Sequence, residues 1–435
     1  MPLGYLFERF PSFTQTFCFR EVRELGAQGI PPLIHSIRVP ADEPPQDYPP
    51  EFSARVVYLP DGDTLTTAMK RARGNKSMPR PIRKTLESWT SKQDRHRVYE
   101  AAWLGPRLRK AGIRHVHAHF AGIAARTAFW LHRFFGITYS FTGHANDLYC
   151  PEPDLPIALD ALVREAALVV TVSDHTAADL ARRFPSAAAK IRRVYNGIDT
   201  QVWTPPDTAR PRAPLILSVG RLIEKKGFED LVRACALLHA RAIPFHCTIV
   251  GEGPLEERLL RLIQSEGCGN AVELAGPKTQ EEIRGLLGRA AAFALPCVHE
   301  TEGGRDVLPT VLMEAMACGL PCVSTPVAGV PEMVIDGTTG RIVPERDPAA
   351  LAEVLAGWLA EPGRAEALGA EGRRIATERF DIRVTTRQLK HLLVRHGRFR
   401  PPREARRLDP ALWKSWLRGW LSAGQFGAAR TPSTP

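Results

Sequence analysis

The sequence lacks any long hydrophobic run and any cysteine pair of the kind that marks a metal site. No stretch of the 435 residues approaches the roughly 20 apolar residues that a membrane-spanning helix needs. The opening MPLGYLFERFPSF lacks the basic start, apolar centre and cleavage site of a secretory signal. The eight cysteines form no CxxC pair and lie mostly inside apolar runs, which favours reduced thiols over disulfides or a zinc site. We therefore expect a cytoplasmic protein.

Two common nucleotide-binding signatures are also missing. The chain has no Walker loop, and no GxGxxG pattern follows the first strand of its second half, which argues against an NTPase and a dehydrogenase. The short segment GEGP (251–254) places two glycines at a strand end, but a G-x-G pattern alone has little specificity. A nucleotide-binding function therefore depends on other residues.

The chain is long and basic. Its 58 Lys and Arg residues against 47 Asp and Glu residues give a formal charge of +11. Such an excess favours an anionic partner without separating phosphate from nucleic acid or lipid headgroups. A length of 435 residues predicts two domains, each large enough for a substantial core.

Short apolar segments alternate with helical patterns in both halves, which is typical of parallel strands buried under crossover helices. The first half contains LGYLF, HSIRV, VVYL, IRHVHAHF, ITYSF, LVVTVS and IRRVYN. The second half contains LILSVG, FHCTIVG, AVELAG, AAFALP, PCVSTP and GRIVP. A proline-rich linker at 204–214 separates the two sets. We predict α/β domains at 1–205 and 206–385, followed by C-terminal helices and a tail at 386–435.

Two basic segments interrupt this pattern. Residues 70–97 are rich in Lys and Arg, which predicts a solvated loop or helix face. Near the end of the chain, an Arg-rich stretch precedes five apolar residues at the spacing of one helical face, namely Trp413, Trp416, Leu417, Trp420 and Leu421. Such a helix either lies in the interface of an anionic membrane or packs on the protein, and the pattern leaves both interpretations open.

The segment HETEGGRDVLPTVLMEAMA (299–317) runs from a polar loop into an apolar helix that carries one carboxylate, Glu314. A second carboxylate, Asp306, lies eight positions upstream. A buried carboxylate without a partner is costly. Either the segment contains a helix cap with a structural hydrogen bond, or it forms a pocket in which both acids and the helix N-terminus hold a polyhydroxylated, phosphorylated ligand.

Basic residues follow the first predicted strand of the second half. This strand ends at Gly220, and Arg221, Lys225 and Lys226 come next. Ligands in open parallel sheets bind at the carboxyl ends of the strands. The planar fork of Arg and the mobile charge of Lys together suit a diphosphate.

These motifs occur in an order that resembles family 4 retaining glycosyltransferases of the GT-B fold. The resemblance rests on GRLIEKKG, GEGP, LPC, and an acid followed by seven residues and Glu before AMACGLPCVSTPVAGVPEMVIDGTTGRIVP, all within 215–385. NGID (196–199) and TVSDHTAADL (171–180) are also typical. FPSFTQTF with REVREL, HAHFA and SFTGHANDLY is similar to a subgroup that builds bacterial exopolysaccharides of the colanic acid or amylovoran kind. The resemblance implies two Rossmann-like domains that face each other across a central cleft.

The resemblance also implies donor-site roles. Arg221 and Lys226 match the basic pair that holds the donor diphosphate and stabilises the departing nucleotide. Glu314 matches the acid that binds the ribose hydroxyls. Asp306 matches the acid that contacts the donor sugar, although the family usually has Glu there. His144 matches a histidine that hydrogen-bonds the donor sugar and supports the transition state.

A wider set of positions follows from the same resemblance. The further donor-binding residues are Gly220, Gly251, Gly253, Leu308, Pro309 and Thr310. The acceptor-side residues are Ser12, Thr14, Thr16, His119 and Asp147. Asp147 is expected to orient either its own loop or the acceptor.

Two segments contain possible metal ligands. His115, His117 and His119 alternate on a predicted strand and share one face, so together they offer three zinc ligands. The motif supplies no further ligand, and we expect His119 to line the cleft while the other two pack or bond locally. DGD at 61–63 predicts a turn. We expect no metal and no cofactor.

The resemblance therefore implies a hexosyltransferase that uses a UDP- or GDP-sugar and acts with retention on a glycan or polyprenyl-diphosphate-linked acceptor. The basic segments predict peripheral attachment to the anionic inner face of the cytoplasmic membrane. A nucleic-acid-binding protein is disfavoured because the basic runs flank a nucleotide-sugar motif set. A GT-B protein with other chemistry, such as an NDP-sugar epimerase or an inactive regulatory subunit, remains an alternative.

Overall fold

A computed structural model describes residues 2–12, 15–41, 55–74, 80–88, 94–150, 157–206, 213–301 and 303–396. The strands of the first half are β1 (Gly4–Arg9), β2 (Leu33–Arg38), β3 (Val57–Tyr58), β4 (His115–His119), β5 (Thr138–Gly143), β6 (Leu168–Thr171) and β7 (Ile191–Arg193). The helices of this half are α1 (Thr16–Ala27), α2 (Gly62–Gly74), α3 (Arg80–Ser88), α4 (Arg95–Lys110), α5 (Ile123–Phe135), α6 (Asn146–Tyr149), α7 (Leu159–Glu165) and α8 (Asp174–Arg183).

The second half continues the alternation. Its strands are β8 (Leu215–Val219), β9 (His246–Val250), β10 (Val272–Leu274), β11 (Ala292–Leu295), β12 (Cys322–Ser324) and β13 (Gly340–Ile342). Its helices are α9 (Phe228–Ala240), α10 (Glu256–Ser265), α11 (Gln280–Arg289), α12 (Thr310–Ala317), α13 (Pro348–Ala360), α14 (Pro362–Ile375) and α15 (Ile382–His396).

Each half of the chain forms its own parallel sheet. The strand order is β3-β2-β1-β4-β5-β6-β7 in the first sheet and β10-β9-β8-β11-β12-β13 in the second. Every one of these strands overlaps an apolar segment predicted from the sequence, so the strand predictions and the α/β class are confirmed. The strands read as continuous apolar runs because helices cover both faces of a parallel sheet.

The strand order reverses at one place in each sheet. β1 lies between β2 and β4, and β8 lies between β9 and β11. Ligands of such sheets bind in the crevice at the carboxyl ends of the strands next to this reversal. The loops after β8, β9 and β11, together with α12, carry the predicted donor residues. The predicted histidines lie on β4 and in the segment after β5.

The C-terminal helix α15 returns to the first sheet. Leu389 and Leu393 of this helix are buried in one cluster with Leu3, Tyr5 and Phe7. Helix α15 follows the second sheet in the chain but completes the core of the first half. The chain therefore passes between the two halves twice, once before β8 and once before α15.

A carboxylate of the second half caps a helix of the first. Glu332 accepts hydrogen bonds from the backbone amides of Asp174 and His175, both at 2.8 Å. Tyr195 donates its hydroxyl to the same carboxylate at 3.0 Å. A negative charge at a helix N-terminus is favourable, so this contact stabilises α8 and ties the two halves together.

The basic segment 70–97 is only partly solvated. Lys70 and Arg71 are exposed on α2, as predicted. Arg97 is buried on α4 and lies 2.6 Å from the carboxylate of Glu100. The solvated interpretation is therefore wrong for Arg97, because an internal ion pair satisfies its charge.

The DGD segment lies at the start of α2. The carboxylate of Asp61 accepts hydrogen bonds from the backbone amides of Asp63 and Thr64 at 3.1 and 2.8 Å. These bonds satisfy amides that the first turn of a helix leaves free. The turn interpretation is therefore wrong for Gly62 and Asp63, which are the first residues of α2, and Asp61 caps this helix.

Two predictions concern membranes. Across the ranges that the structure describes, no helix has both the length and the apolar character required to cross a bilayer. The apolar helical face predicted at 413–421 lies outside the described residues.

Candidate active site

The loop after β8 approaches β11 closely. Arg221 is exposed at the start of this loop, and the tight turn Glu224–Lys226 ends at Gly227. Gly227 has a φ of 68°, and a Cβ there would lie 1.8 Å from the carbonyl oxygen of Pro296. Only glycine tolerates both this conformation and this contact. The glycine thereby places the basic turn at the carboxyl end of the sheet.

Lys226 in this turn is paired with Asp306. Its Nζ lies 2.5 Å from one carboxylate oxygen of Asp306, and the Nζ of Lys225 lies 3.7 Å from the other. Burial lowers the pKa of Lys226, but the charge and hydrogen bond of Asp306 and the influence of Cys297 outweigh burial and raise the pKa overall. Lys226 is therefore a fixed cation at neutral pH. The predicted diphosphate-binding lysine and the predicted sugar-contacting acid lie side by side.

Glu314 is buried on α12 and pairs with an arginine of the first half. Its carboxylate lies 2.7 Å from the guanidinium of Arg20 on α1, and the two residues are 6% and 7% exposed. Burial raises the pKa of Glu314, whereas the charge and hydrogen bond of Arg20 oppose that rise. The N-cap position of α12 is Pro309, which has no capping side chain. Glu314 therefore does not serve as a helix cap.

The glycines of GEGP pack two loops against each other. A Cβ on Gly251 would lie 1.9 Å from the carbonyl oxygen of Gly220, and one on Gly253 would lie 2.6 Å from that of Leu222. The amide of Leu222 donates to the carbonyl of Glu252 at 2.8 Å. Glycine is thus required where the loops after β8 and β9 meet. The donor-binding role of these glycines stays a prediction.

The segment between the two acids is packed in place. Leu308 and Pro309 are buried, and Thr310 is partly exposed at the first position of α12. The carbonyl of Val307 accepts a hydrogen bond from the amide of Gly329 at 3.0 Å. These contacts fix the start of α12, and donor contacts at 308–310 remain an expectation.

Two histidines of the first half form a buried hydrogen-bonded chain with a glutamate. Glu21 on α1 lies 3.0 Å from Nε2 of His119, at the end of β4. Nδ1 of His119 lies 3.1 Å from Nε2 of His144, in the segment after β5. The two imidazole rings are stacked with centroids 5.4 Å apart. The predicted donor-side histidine and the predicted acceptor-side histidine are therefore in direct contact.

Asp147 organises the loop that carries His144. Its carboxylate accepts hydrogen bonds from the backbone amides of Ala121, His144 and Ala145 at 2.9, 3.1 and 2.8 Å. Burial raises the pKa of Asp147, and these backbone bonds oppose that rise. Of the two expected roles for Asp147, the geometry favours orientation of its own loop.

The other acceptor-side residues lie around the start of α1. Ser12 is 5% exposed, and Thr16 is the first residue of the helix. Thr14 lies outside the described residues. An acceptor role for these three positions stays a prediction.

The two earlier histidines of β4 form a ladder with hydroxyls of β5. His115 bonds to the hydroxyls of Thr138 and Ser140 at 2.9 and 2.8 Å. His117 bonds to those of Ser140 and Thr142 at 2.7 and 2.9 Å. This is the local bonding that the sequence predicts for His115 and His117.

Glu21, His117 and His119 place possible metal-ligand atoms within 4.8 Å of one another. Both nitrogens of His117 are engaged by hydroxyls, and Nε2 of His119 is engaged by Glu21. An ion here would have to break hydrogen bonds that already satisfy these buried groups. The donor atoms therefore fit a hydrogen-bond network better than a metal centre.

A cationic cavity lies beside the loop that carries Asp306. Its volume is about 410 Å³, and its lining residues are Tyr149, His175, Asp179, Arg182, Arg183 and Arg305. The guanidinium of Arg305 lies 4.1 Å from the ring centroid of Tyr149. Arg183 donates to the carbonyl of Leu148 at 3.2 Å, which fixes its direction. Three arginines against one carboxylate favour an anionic ligand.

Arg20, Glu21 and this cavity are not among the features predicted from the sequence. Both Arg20 and Glu21 lie in REVREL, a segment used only for the subgroup resemblance. The sequence did contain one indication that Arg20 and Glu21 are shielded from solvent. The two residues are flanked by the apolar residues Phe19 and Val22 on helix α1.

Known families match both halves of the chain. The family described as "Glycosyltransferase Family 4" matches residues 15–202, and "Glycosyl transferases group 1" matches residues 201–375. The glycogen synthase of Mycobacterium tuberculosis H37Rv is 30% identical over 316 residues, which cover 68% of this chain and 74% of that protein. The chain belongs to the group 1 glycosyltransferases. The family membership predicted from the sequence is confirmed.

Two relatives of this glycosyltransferase are named for exopolysaccharide biosynthesis. The putative colanic acid biosynthesis glycosyltransferase WcaL of Salmonella typhimurium LT2 is 36% identical over 238 residues, or 53% of this chain and 57% of that protein. The amylovoran biosynthesis glycosyltransferase AmsK of Erwinia amylovora is 38% identical over 212 residues, or 48% and 51%. The chain spans about half the length of these relatives. The subgroup resemblance is thereby confirmed.

Solved structures share the fold of this glycosyltransferase. Sucrose-phosphate synthase of Thermosynechococcus elongatus has a TM-score of 0.69 at 21% identity, covering 91% of this chain and 99% of that one. Anabaena Alr3699/HepE in complex with UDP has a TM-score of 0.67 at 17% identity, covering 91% and 100%. At these identities the likeness shows the GT-B fold alone.

Proposed function

We propose that this protein transfers a hexose from a UDP- or GDP-sugar to a glycan or lipid-linked acceptor, with retention, in exopolysaccharide biosynthesis. The observation that carries the proposal is the position of α1 between the two halves of the site. Arg20 pairs with Glu314, and the next residue, Glu21, pairs with His119, which contacts His144. The expected ribose-binding acid and the expected sugar-binding histidine therefore belong to one connected group of side chains.

The donor diphosphate is held by Arg221 and Lys226. The ammonium of Lys226 has three N–H donors, and Asp306 takes one of them at 2.5 Å. The others remain for phosphate oxygens. Negative charge grows on the diphosphate as the nucleotide leaves, and a fixed cation next to it stabilises that charge. Asp306 contributes by keeping the lysine charged and in place.

The transfer exchanges one bond at the anomeric carbon for another. The bond from that carbon to the diphosphate oxygen breaks with its electron pair on the diphosphate, which leaves an oxocarbenium-like sugar. The acceptor hydroxyl attacks on the same face, and its proton passes to the leaving phosphate. No protein base is needed in this scheme. Glu314 and Asp306 position the donor and do not form the acid and base pair of a glycoside hydrolase.

The cationic cavity supports an anionic acceptor. Arg182, Arg183 and Arg305 line a space of about 410 Å³ next to the Asp306 loop. Arg binds phosphate through paired N–H donors, and the buried Nε of Arg305 has no partner among the residues that the structure describes. A polyprenyl-diphosphate-linked glycan offers phosphates of this kind. The names of the relatives WcaL and AmsK agree with such a biosynthetic role.

A donor panel tests the proposed transfer. The full chain is incubated with UDP- and GDP-linked hexoses, with and without a polyprenyl-diphosphate-linked acceptor, and released nucleotide is measured. We expect release from one donor, stimulation by the acceptor, and retention of anomeric configuration in the product by NMR. No release from any donor would overturn the transferase proposal. A changed donor sugar without nucleotide release would instead indicate an epimerase, and an inverted product would overturn retention.

Membrane attachment is a separate part of the proposal. Clustered Lys and Arg residues near an anionic surface contribute about 1 kcal/mol each to binding. We expect the full chain to sediment with anionic vesicles and a chain without residues 397–435 to sediment less. Equal sedimentation of both would remove the tail from this role.

A further inference from the structure

The three segments that carry the subgroup resemblance meet in one hydrogen-bonded chain. REVREL contributes Glu21, HAHFA contributes His119, and SFTGHANDLY contributes His144. The two links measure 3.0 Å from Glu21 to His119 and 3.1 Å from His119 to His144. Both histidines are buried, with 1% and 7% of their surface exposed. Glu21 lies at one end of this chain of hydrogen bonds and His144 lies at the other.

Glu21 fixes the proton on the first histidine. Its Oε1 accepts a hydrogen bond from the hydroxyl of Tyr5 at 2.8 Å. Burial, followed by the charge of Glu21, raises the pKa of Tyr5 well above its ordinary value, so this hydroxyl keeps its proton. The same Oε1 faces Nε2 of His119 at 3.0 Å, and an oxygen that accepts from the Tyr5 hydroxyl also accepts from this nitrogen. Nε2 of His119 therefore carries a proton and donates a hydrogen bond to Glu21.

The Cys18 thiol identifies the other nitrogen of His119 as an acceptor. Two groups face Nδ1 of this ring, Nε2 of His144 at 3.1 Å and Sγ of Cys18 at 3.4 Å. Burial raises the pKa of the Cys18 thiol well above its ordinary value, so the thiol keeps its proton and donates toward Nδ1. His144 accordingly has its proton on Nε2.

This assignment leaves Nδ1 of His144 with a lone pair. Nδ1 is buried and has no hydrogen-bond partner among the residues that the structure describes. The ring of His144 packs against Phe17 and Phe120, with centroids 4.7 and 4.4 Å away. Burial holds the pKa of the His144 imidazole well below its ordinary value, so the ring is neutral near neutral pH.

We infer that Glu21 and His119 are positioning residues that hold His144 in its Nε2–H tautomer and so present Nδ1 as a hydrogen-bond acceptor to a substrate hydroxyl. The inference rests on the proposed function, which places His144 at the donor sugar. The opposite tautomer would present an N–H group, which suits a carbonyl or phosphate oxygen. A buried acceptor without a protein partner selects a ligand that brings its own donor, as a sugar hydroxyl does.

The tautomer can be measured without any substrate. In the full chain labelled with ¹⁵N-histidine, the His144 signals are assigned by their loss in His144→Gln. We expect a protonated Nε2 and an unprotonated Nδ1 near neutral pH. A proton on Nδ1, in either the neutral or the charged ring, would overturn the inference.

Variants of Glu21 separate positioning from folding. Glu21→Leu removes the acceptor for His119, and we expect Nδ1 of His144 to become partly protonated. We expect kcat to fall by about 10- to 100-fold with little change in KM, by analogy with the loss of a group that orients a metal-bound histidine. Glu21→Gln keeps a carbonyl acceptor for His119. We therefore expect this variant to retain most of the wild-type kcat and the Nε2–H tautomer of His144. Glu24→Leu is the control, because Glu24 lies on the same helix and pairs with Gln28 at 2.8 Å.

The outcomes distinguish the two proposals. A loss of kcat in Glu21→Leu with an unchanged tautomer would show that Glu21 is only structural, which contradicts the inference. The expected tautomer in a wild-type protein that releases no nucleotide would overturn the proposed function and the substrate contact, but not the positioning of His144 by Glu21 and His119. If Glu24→Leu lowered kcat and changed the His144 tautomer as much as Glu21→Leu does, the positioning role of Glu21 would also be contradicted.

Discussion

The carboxylate of Glu314 lies 2.7 Å from the guanidinium of Arg20, and this buried pair joins helix α12 of the second half to helix α1 of the first half. Removing one partner of a buried pair leaves an uncompensated charge. We expect Arg20→Ala to destabilise the fold by about 3 kcal/mol in urea unfolding.

Arg23 provides the matched control for this prediction. It lies on the same helix and pairs with Asp199 at 3.4 Å, but its side chain is 54% exposed. We expect Arg23→Ala to cost less than about 1 kcal/mol, since exposed pairs are screened by water. An equal loss of unfolding free energy in the two variants would contradict a larger stabilising contribution from the buried Arg20–Glu314 pair.

The two lysines beside Asp306 should differ in their effect on turnover. Lys226 lies 2.5 Å from the carboxylate and Lys225 lies 3.7 Å from it. We expect Lys226→Met to lower kcat by about 100- to 1000-fold, because one fixed group that stabilises developing charge contributes this much. Lys225→Met should lower kcat far less. Nucleotide release measures both, and a reversed order would contradict the assignment of Lys226 to the leaving diphosphate.

Asp306 should influence which sugar is used. Its side chain is one methylene shorter than the glutamate usual in the family, so Asp306→Glu changes the reach of the carboxylate. A hydrogen bond to a sugar hydroxyl contributes about 1 kcal/mol, and more when one partner is charged. We expect the ratio of kcat/KM between two epimeric donors to change by about tenfold. An unchanged ratio would mean that position 306 does not select the sugar.

Glu100 should make stability depend on pH. Burial raises its pKa from 4.5 to about 7, although Arg97 and Thr127 oppose that rise. The folded state therefore binds the proton more tightly than the unfolded state does. The resulting stabilisation is complete below the unfolded pKa of 4.5 and is lost as the pH rises through about 7. At about 1.4 kcal/mol per pKa unit, the loss is roughly 3 kcal/mol.

Glu100→Gln removes this titration. We expect urea unfolding of the variant to show a flatter profile than the wild type as the pH rises from about 4.5 to about 7. The same slope in both proteins would contradict the raised pKa of Glu100.

The strands were predictable because the physics that forms them is local. A parallel strand covered on both faces must be apolar along its whole length, and segments such as LILSVG and AAFALP meet that condition. Arg97 shows where this fails. The three residues before it, 94–96, are polar, and only the partner Glu100 in the folded helix α4 shows that Arg97 is buried.

The site was predictable only where its residues lie in ordered motifs. Lys226 and Asp306 belong to loops after neighbouring strands, so a sheet brings them together. Arg20 and Glu314 are 294 positions apart, and no local pattern connects them. Their pairing depends on how the two domains meet, which the sequence of either domain alone does not specify.

Nucleotide binding by Glu314→Ala tests the central claim most directly. Titration calorimetry of UDP, GDP and the preferred nucleotide sugar is carried out on the wild type and on this variant. Hydrogen bonds to charged groups contribute about 1.5–3 kcal/mol each, so losing the ribose contact should weaken donor binding by about 10- to 100-fold. Unchanged affinity and unchanged turnover in a folded Glu314→Ala protein would contradict a donor site at α12.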